Sequence, residues 1–140
     1  MKSSAVKKIF EQFDPKKPIP LEGVYSDQCV FQDPFHRIQG RKAVEEYLFR
    51  LNQNLNFCKF EFSDQIEGGD SAALVWLMSA ELRMPKRRKI FLEGVTHLKF
   101  DSNSGLVILH KDYYDAGEML YEQIPALKSV IQAIKARVGN

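Results

Sequence analysis

Apolar residues recur at helical spacing in the first third of the chain and in alternation through most of the rest. Val6, Ile9, Phe10 and Phe13 fall on one face of a helix, with Ser3 or Ser4 placed to cap it. Pro15, Pro18 and Pro20 end that helix and hold the connection extended. Residues 21–25 predict a short second helix, and residues 29–33 a β-segment stopped by Asp33-Pro34. Ile38-Gln39-Gly40 predicts a short extended piece. Residues 41–51 form the clearest internal helix, with Val44, Tyr47, Leu48 and Leu51 sharing a face. From residue 56 the period falls to two. Residues 56–66, 71–84, 89–100 and 106–114 read as four long strands separated by turn sequences such as Glu67-Gly68-Gly69-Asp70. A final helix starts near Asp115. Its apolar stripe runs through Leu120, Ile124, Leu127, Ile131, Ile134 and Val138, with Pro125 as a place to kink or divide it. Three partners suit the stripe: the domain's own sheet, a second copy, or a membrane surface. Six apolar residues should not face water, so packing on the domain or across a dimer is expected. The three cations after Pro125 and the absence of an aromatic anchor after Tyr121 argue against a membrane surface.

Successive long strands joined by short turns pair antiparallel, and helices segregated from such a sheet make an α+β domain. The 140 residues suit one domain, and the hydrophobic fraction of 44% is enough for a core. Net charge is +2, with 10 basic and 11 acidic side chains in residues 1–70 and 10 and 7 in residues 71–140. That balance argues against nucleic acid. The apolar run at 72–78 is too short to cross a membrane, and the start lacks the apolar core of a signal peptide, so a cytoplasmic protein is expected. Cys29 and Cys58 lack metal-ligand spacing and read as buried free thiols. Lys86-Arg87-Arg88-Lys89 reads as a solvated hairpin tip, with contact to phosphate or an anionic lipid as the alternative. Phosphate-loop, dinucleotide, GxSxG and HExxH motifs are missing, so neither a cofactor nor a metal is expected.

The layout resembles the nuclear transport factor 2-like superfamily, which includes ketosteroid isomerase, scytalone dehydratase, limonene epoxide hydrolase and the SnoaL-like polyketide cyclases. The segment YSDQCVFQDPFHRIQGRKAVEEYL, residues 25–48, is similar to the family signature: a strand, an acidic-Pro pair, a loop ending in Gly, then a helix. EGVTHLKFD and VILHKDYYD resemble the last two strands. The resemblance implies one domain over residues 1–140, with 115–140 as a helical extension. Its fold is a curved antiparallel sheet wrapped around the N-terminal helices into a cone with an internal pocket.

Asp33-Pro34 falls on the general base of the isomerase. A carboxylate among apolar walls gains proton affinity and becomes a usable base, whereas a turn-forming Asp before Pro is the structural alternative. The isomerase's oxyanion donors do not carry over, because Ile9 and Thr96 occupy their positions. Steroid isomerisation by that route is therefore not expected. His110 and Asp112 lie two apart on the last strand and share a face, a spacing that serves an acid–base pair or a polar outer contact. Tyr114 continues that face. His36 sits on the loop after Asp33, exposed or over the pocket mouth. Tyr25, Tyr47 and Trp76 are core residues or pocket walls, and the resemblance implies that Thr96 faces the pocket, which would send the alternating His97 outward.

The resulting expectation is a SnoaL-like pocket protein for a small, largely apolar molecule, working as a homodimer through an outer sheet face containing Val75, Leu77 and Val95. As an enzyme it would do cofactor-free isomerisation, dehydration or cyclisation with Asp33 and the His110-Asp112 pair. The alternative is a non-catalytic ligand-binding or protein-interaction module.

Overall fold

The computed structural model describes residues 1–84, 87–115 and 125–139. Helix α1 (Ser3–Glu11) is followed by β1 (Tyr25–Gln32), β2 (Arg37–Gln39), α2 (Arg41–Leu51), β3 (Leu55–Gly68), β4 (Ser71–Leu82), β5 (Arg88–Phe100), β6 (Val107–Tyr114) and α3 (Pro125–Val138). Strand order is β2-β1-β6-β5-β4-β3, an open six-stranded sheet. The expected run of long antiparallel strands is present. β1, however, joins β6 in parallel, so the sheet is mixed. A strand before the helices can only reach the free side of the last strand by a crossover, and that crossover sets its direction.

The α1 start differs from expectation. No serine side chain caps it. Ser3 lies inside the first turn and is fully buried. Its backbone N–H donates to Glu67 Oε1 (3.3 Å), and its hydroxyl accepts from Gln65 Nε2 (2.7 Å). The first turn is thus satisfied partly from β3, beside the local bond of the Ser4 amide to Met1 O (3.1 Å). A bulge between Phe62 and Asp64 makes this possible, because it reverses which residues of β3 face inward. Before it, Cys58, Phe60 and Phe62 turn in. After it, Gln65 and Glu67 do, and Ile66 is left 55% exposed.

Residues 21–25 do not make the expected helix. The amides of Val24 and Tyr25 both donate to Leu21 O, and Gly23, at φ 82°, then leaves the helical region. β1 accordingly starts at Tyr25, four residues earlier than predicted. The described part of the last helix starts at Pro125, a residue suited to a first helical position. The expected start near Asp115, with Leu120, Ile124, Pro85 and Lys86, lies outside the described residues, as does the side-chain packing of Leu127 and Ile131. Val130, Ile134 and Val138 are exposed. Ile134 and Val138 therefore do not pack on their own domain.

The inner face of the sheet and the helices enclose two apolar clusters. One joins Val6, Leu21, Val44 and Leu48 to Leu74 and Leu98. The other centres on Trp76, Met78, Ile90 and Leu92, with Phe13, Phe60 and Tyr114 against it. Thr96 and His110 are among the few buried polar residues, and Thr96 alternates with His97 as the strand parity requires.

Candidate functional site

Register brings the polar residues together. Thr96 on β5 pairs with Asp112 on β6, and Gly94 pairs with both Trp76 and Tyr114. Trp76 lies across Gly94, where an added Cβ would stand 2.4 Å from two indole carbons. From there the indole N–H donates to Thr96 Oγ1 (2.8 Å), and the Thr96 hydroxyl donates to Asp112 Oδ1 (2.6 Å). On the other side Tyr25 OH lies 2.6 Å from His110 Nδ1, and His110 Nε2 lies 2.9 Å from the same Asp112 oxygen.

The proton positions follow from chemistry. An ionised Asp112 only accepts, so His110 Nε2 carries the hydrogen and Nδ1 accepts from Tyr25. Burial, and after it the charge of Asp112, raises the Tyr25 pKa well above its ordinary value, so Tyr25 remains a donor. Two donor chains, Trp76–Thr96 and Tyr25–His110, therefore converge on Asp112 Oδ1. Among the described residues no hydrogen bond engages Asp112 Oδ2. Tyr25 and His110 are buried, whereas the Asp112 side chain keeps 18% of its exposure.

Asp33 belongs to a neighbouring group. It follows β1, whose register sets Phe31 beside His110 and Gln32 beside Lys111. Asp33 Oδ1 accepts the amides of Phe35 (2.9 Å) and His36 (2.8 Å), and Oδ2 accepts the Tyr47 hydroxyl (2.5 Å). The Asp33 amide closes the turn on His36 O (3.0 Å). With its proton on Asp33, Tyr47 receives the Nδ1–H of exposed His36 (3.2 Å). Burial raises the Tyr47 pKa, then the bond to Asp33, its charge and that of Asp112. Burial likewise raises Tyr114, followed by Asp33, Asp112 and Tyr47. The two groups thus share one electrostatic neighbourhood, with the Phe31 ring 4.8 Å from His110 and 5.8 Å from Tyr47.

A cavity of about 20 Å³ lies between α1 and the sheet, lined in part by Phe10, Phe60, Trp76, Thr96, His110 and Asp112. Of the residues singled out from sequence, Trp76, Thr96, His110 and Asp112 meet there. Asp33, Tyr47 and His36 form the second group beyond Phe31. Tyr114 packs beside Trp76 (6.2 Å) and Phe35 (6.4 Å). Tyr25 stands behind His110 as its hydrogen-bond partner, a role that a Tyr 85 residues distant does not announce. Phe10 was not singled out for the site, and only its helical spacing with Val6 places it there.

Residues 6–110 match the SnoaL-like domain. No curated protein matches. Among solved structures, a SnoaL-like polyketide cyclase candidate from Shewanella putrefaciens superposes with TM-score 0.71 at 17% identity, covering 84% of this chain and 92% of that one. A protein with a ketosteroid isomerase-like fold from Catenulispora acidiphila, solved with trimethylamine, gives 0.70 at 13%, covering 85% and 88%. An LEH-like epoxide hydrolase from M. tuberculosis gives 0.65 at 17%, covering 94% and 96%. At these identities the likeness is one of fold.

Proposed function

Since the chain belongs to the SnoaL-like domain family, we propose that it binds a small, largely apolar molecule in the aromatic-walled recess beside Asp112 and performs cofactor-free acid–base chemistry on it. Isomerisation, dehydration and cyclisation all fit that chemistry. The observation that carries this reading is the convergence of two donor chains on Asp112 Oδ1, with Oδ2 left unengaged among the described residues. Such a carboxylate is held in one orientation and keeps an oxygen to take a proton. In the forward step a substrate proton moves to Asp112 Oδ2, and Thr96 and His110 stop donating to a full negative charge. Return of that proton to a second substrate position completes the cycle. Asp33 is fixed by three donors, and it and Tyr47 contribute field and shape beside the recess. Tyr114, kept protonated by burial, supplies a further hydroxyl.

The experiment uses Trp76, the single tryptophan. Cyclic enones and ketones are titrated against Trp76 emission, and their deuterium uptake from D2O is followed by mass spectrometry. Catalysed exchange that falls about 10²-fold or more in Asp112→Asn, with binding retained, supports the reading. The non-catalytic alternative is favoured by the size of the cavity. At about 20 Å³ it holds about one water before any aromatic side chain moves. Saturable binding with no exchange for any probe would select that alternative.

Assembly as a homodimer through the outer sheet face is part of the same proposal. It is supported there by Leu77, Phe91 and Tyr113, which are 41%, 61% and 50% exposed. Two buried free thiols suit a reducing compartment such as the cytoplasm.

A further inference from the structure

A second concavity, larger than the recess beside Asp112, lies elsewhere on the molecule. It is a groove of about 420 Å³ on the other flank of α1, between that helix and the proline-rich connection to β1. The two flanks separate cleanly along the helix. Val6 and Phe10 line the inner cavity, whereas Ala5, Lys8, Ile9 and Gln12 line the groove. Its opposite bank is a preset wall. Pro18 and Pro20 fix the backbone, Ile19 and Leu21 anchor it in the core, and the Leu21 amide bonds to Ile19 O. A wall of this kind loses little freedom when a ligand arrives.

The groove is apolar along Ile9, Phe13 and Ile19 and carries Lys8 and Lys17 in its lining. Among the described residues neither ammonium forms an ion pair. Asp14 is the one carboxylate in the lining, and its Oδ1 already accepts the Lys16 amide (2.9 Å). Two cations therefore stand against one partly engaged anion beside an apolar bed. The volume falls in the range of small-molecule sites, roughly 300–1,000 Å³.

We propose that this groove is a second ligand site, for an amphipathic monoanion whose apolar body lies on Ile9, Phe13 and Ile19 and whose carboxylate pairs with Lys8 and Lys17. Phe13 is the wall shared with the interior. Its ring meets Phe60 edge-on at 6.2 Å, and Phe60 meets Trp76 at 5.4 Å. A ligand pressing on Phe13 therefore acts on the aromatic wall of the recess, so an occupied groove alters Trp76 emission. This inference does not depend on the chemistry proposed for Asp112.

The test is calorimetric titration of the full chain with sodium decanoate below its micellar concentration, with Trp76 emission read in parallel. Decyltrimethylammonium serves as the charge-inverted probe. Expected are one saturable decanoate site, weakening of about tenfold in the Lys8→Glu/Lys17→Glu variant, and affinity within twofold of the parent in Asp112→Asn. Both lysines lie at exposed positions, so the variant keeps its fold. Absence of saturable binding, equal binding of the cationic probe, or a loss in Asp112→Asn in place of the lysine variant would each overturn the proposal. The last outcome would assign decanoate to the recess and leave the proposed function standing.

Discussion

Replacing Gly94 by Ala tests how the recess is built. Gly94 is buried in β5 between Trp76 and Tyr114. Its φ is not in the left-handed region, so alanine brings no backbone strain and the effect is one of space. The new Cβ would stand 2.4 Å from Trp76 Cζ2 and Cη2 and 2.9 Å from the Tyr113 carbonyl oxygen. Carbon–carbon contacts are optimal near 3.5–4.0 Å, so the indole must shift by about 1 Å or more. That shift breaks the Trp76 donation to Thr96, made at 2.8 Å between buried groups. Overpacking costs about 1–3 kcal/mol, and a lost buried hydrogen bond about 1 kcal/mol or more. The sum is about 3 kcal/mol, or a fall in Tm of roughly 10 °C for a chain of this size. Urea unfolding gives the free energy, and Trp76 emission reports the displaced ring. In a Trp76→Leu background the cost of Gly94→Ala should fall by about 1 kcal/mol or more, because the obstructing ring and its hydrogen bond are gone while the contact with the Tyr113 carbonyl oxygen stays. Stability within about 0.5 kcal/mol of the parent with unchanged emission would refute the argument. So would an equal cost in both backgrounds.

Tyr25→Phe removes the donor to His110 Nδ1 and leaves a buried acceptor unpaired; denaturant unfolding should show a loss of about 2 kcal/mol. Burial pushes the Cys58 thiol up to about 12, so the neutral form is the one the fold favours. Its contribution to stability is fully present below pH 9 and lost as pH rises from 9 towards 12. Native protein at pH 8 should accordingly leave Cys58 unmodified by a disulfide reagent that labels it in urea. For the proposed dimer, Leu77→Lys/Phe91→Lys places charge on the outer sheet face; sedimentation at micromolar concentration should show dimer in the parent and monomer in the variant. A parent that sediments as a monomer would remove that interface.

Local periodicity was enough to place most of the elements. α2 spans Arg41–Leu51 as its apolar face predicts, and alternation in β4 and β5 puts Trp76 on one face with Leu74 and sets Thr96 opposite His97, whereas the inward side of Thr96 was implied by the resemblance. The two-residue spacing of His110 and Asp112 likewise fixed their common face, because side chains alternate on any strand whatever its partners. Tertiary structure decided what local pattern does not contain. The parallel docking of β1 on β6 brought Tyr25 to His110 across 85 residues. A bulge in β3 reversed its parity and supplied Gln65 and Glu67 to the start of α1, where the sequence suggested a serine cap. Gly23 ended after one turn what looked like a helix. Asp33 drew three donors from its own loop and α2, while Asp112 kept an oxygen unengaged among the described residues. Each of these outcomes depends on which distant groups a fold brings within about 3 Å of one another, and hydrophobic spacing carries no record of that.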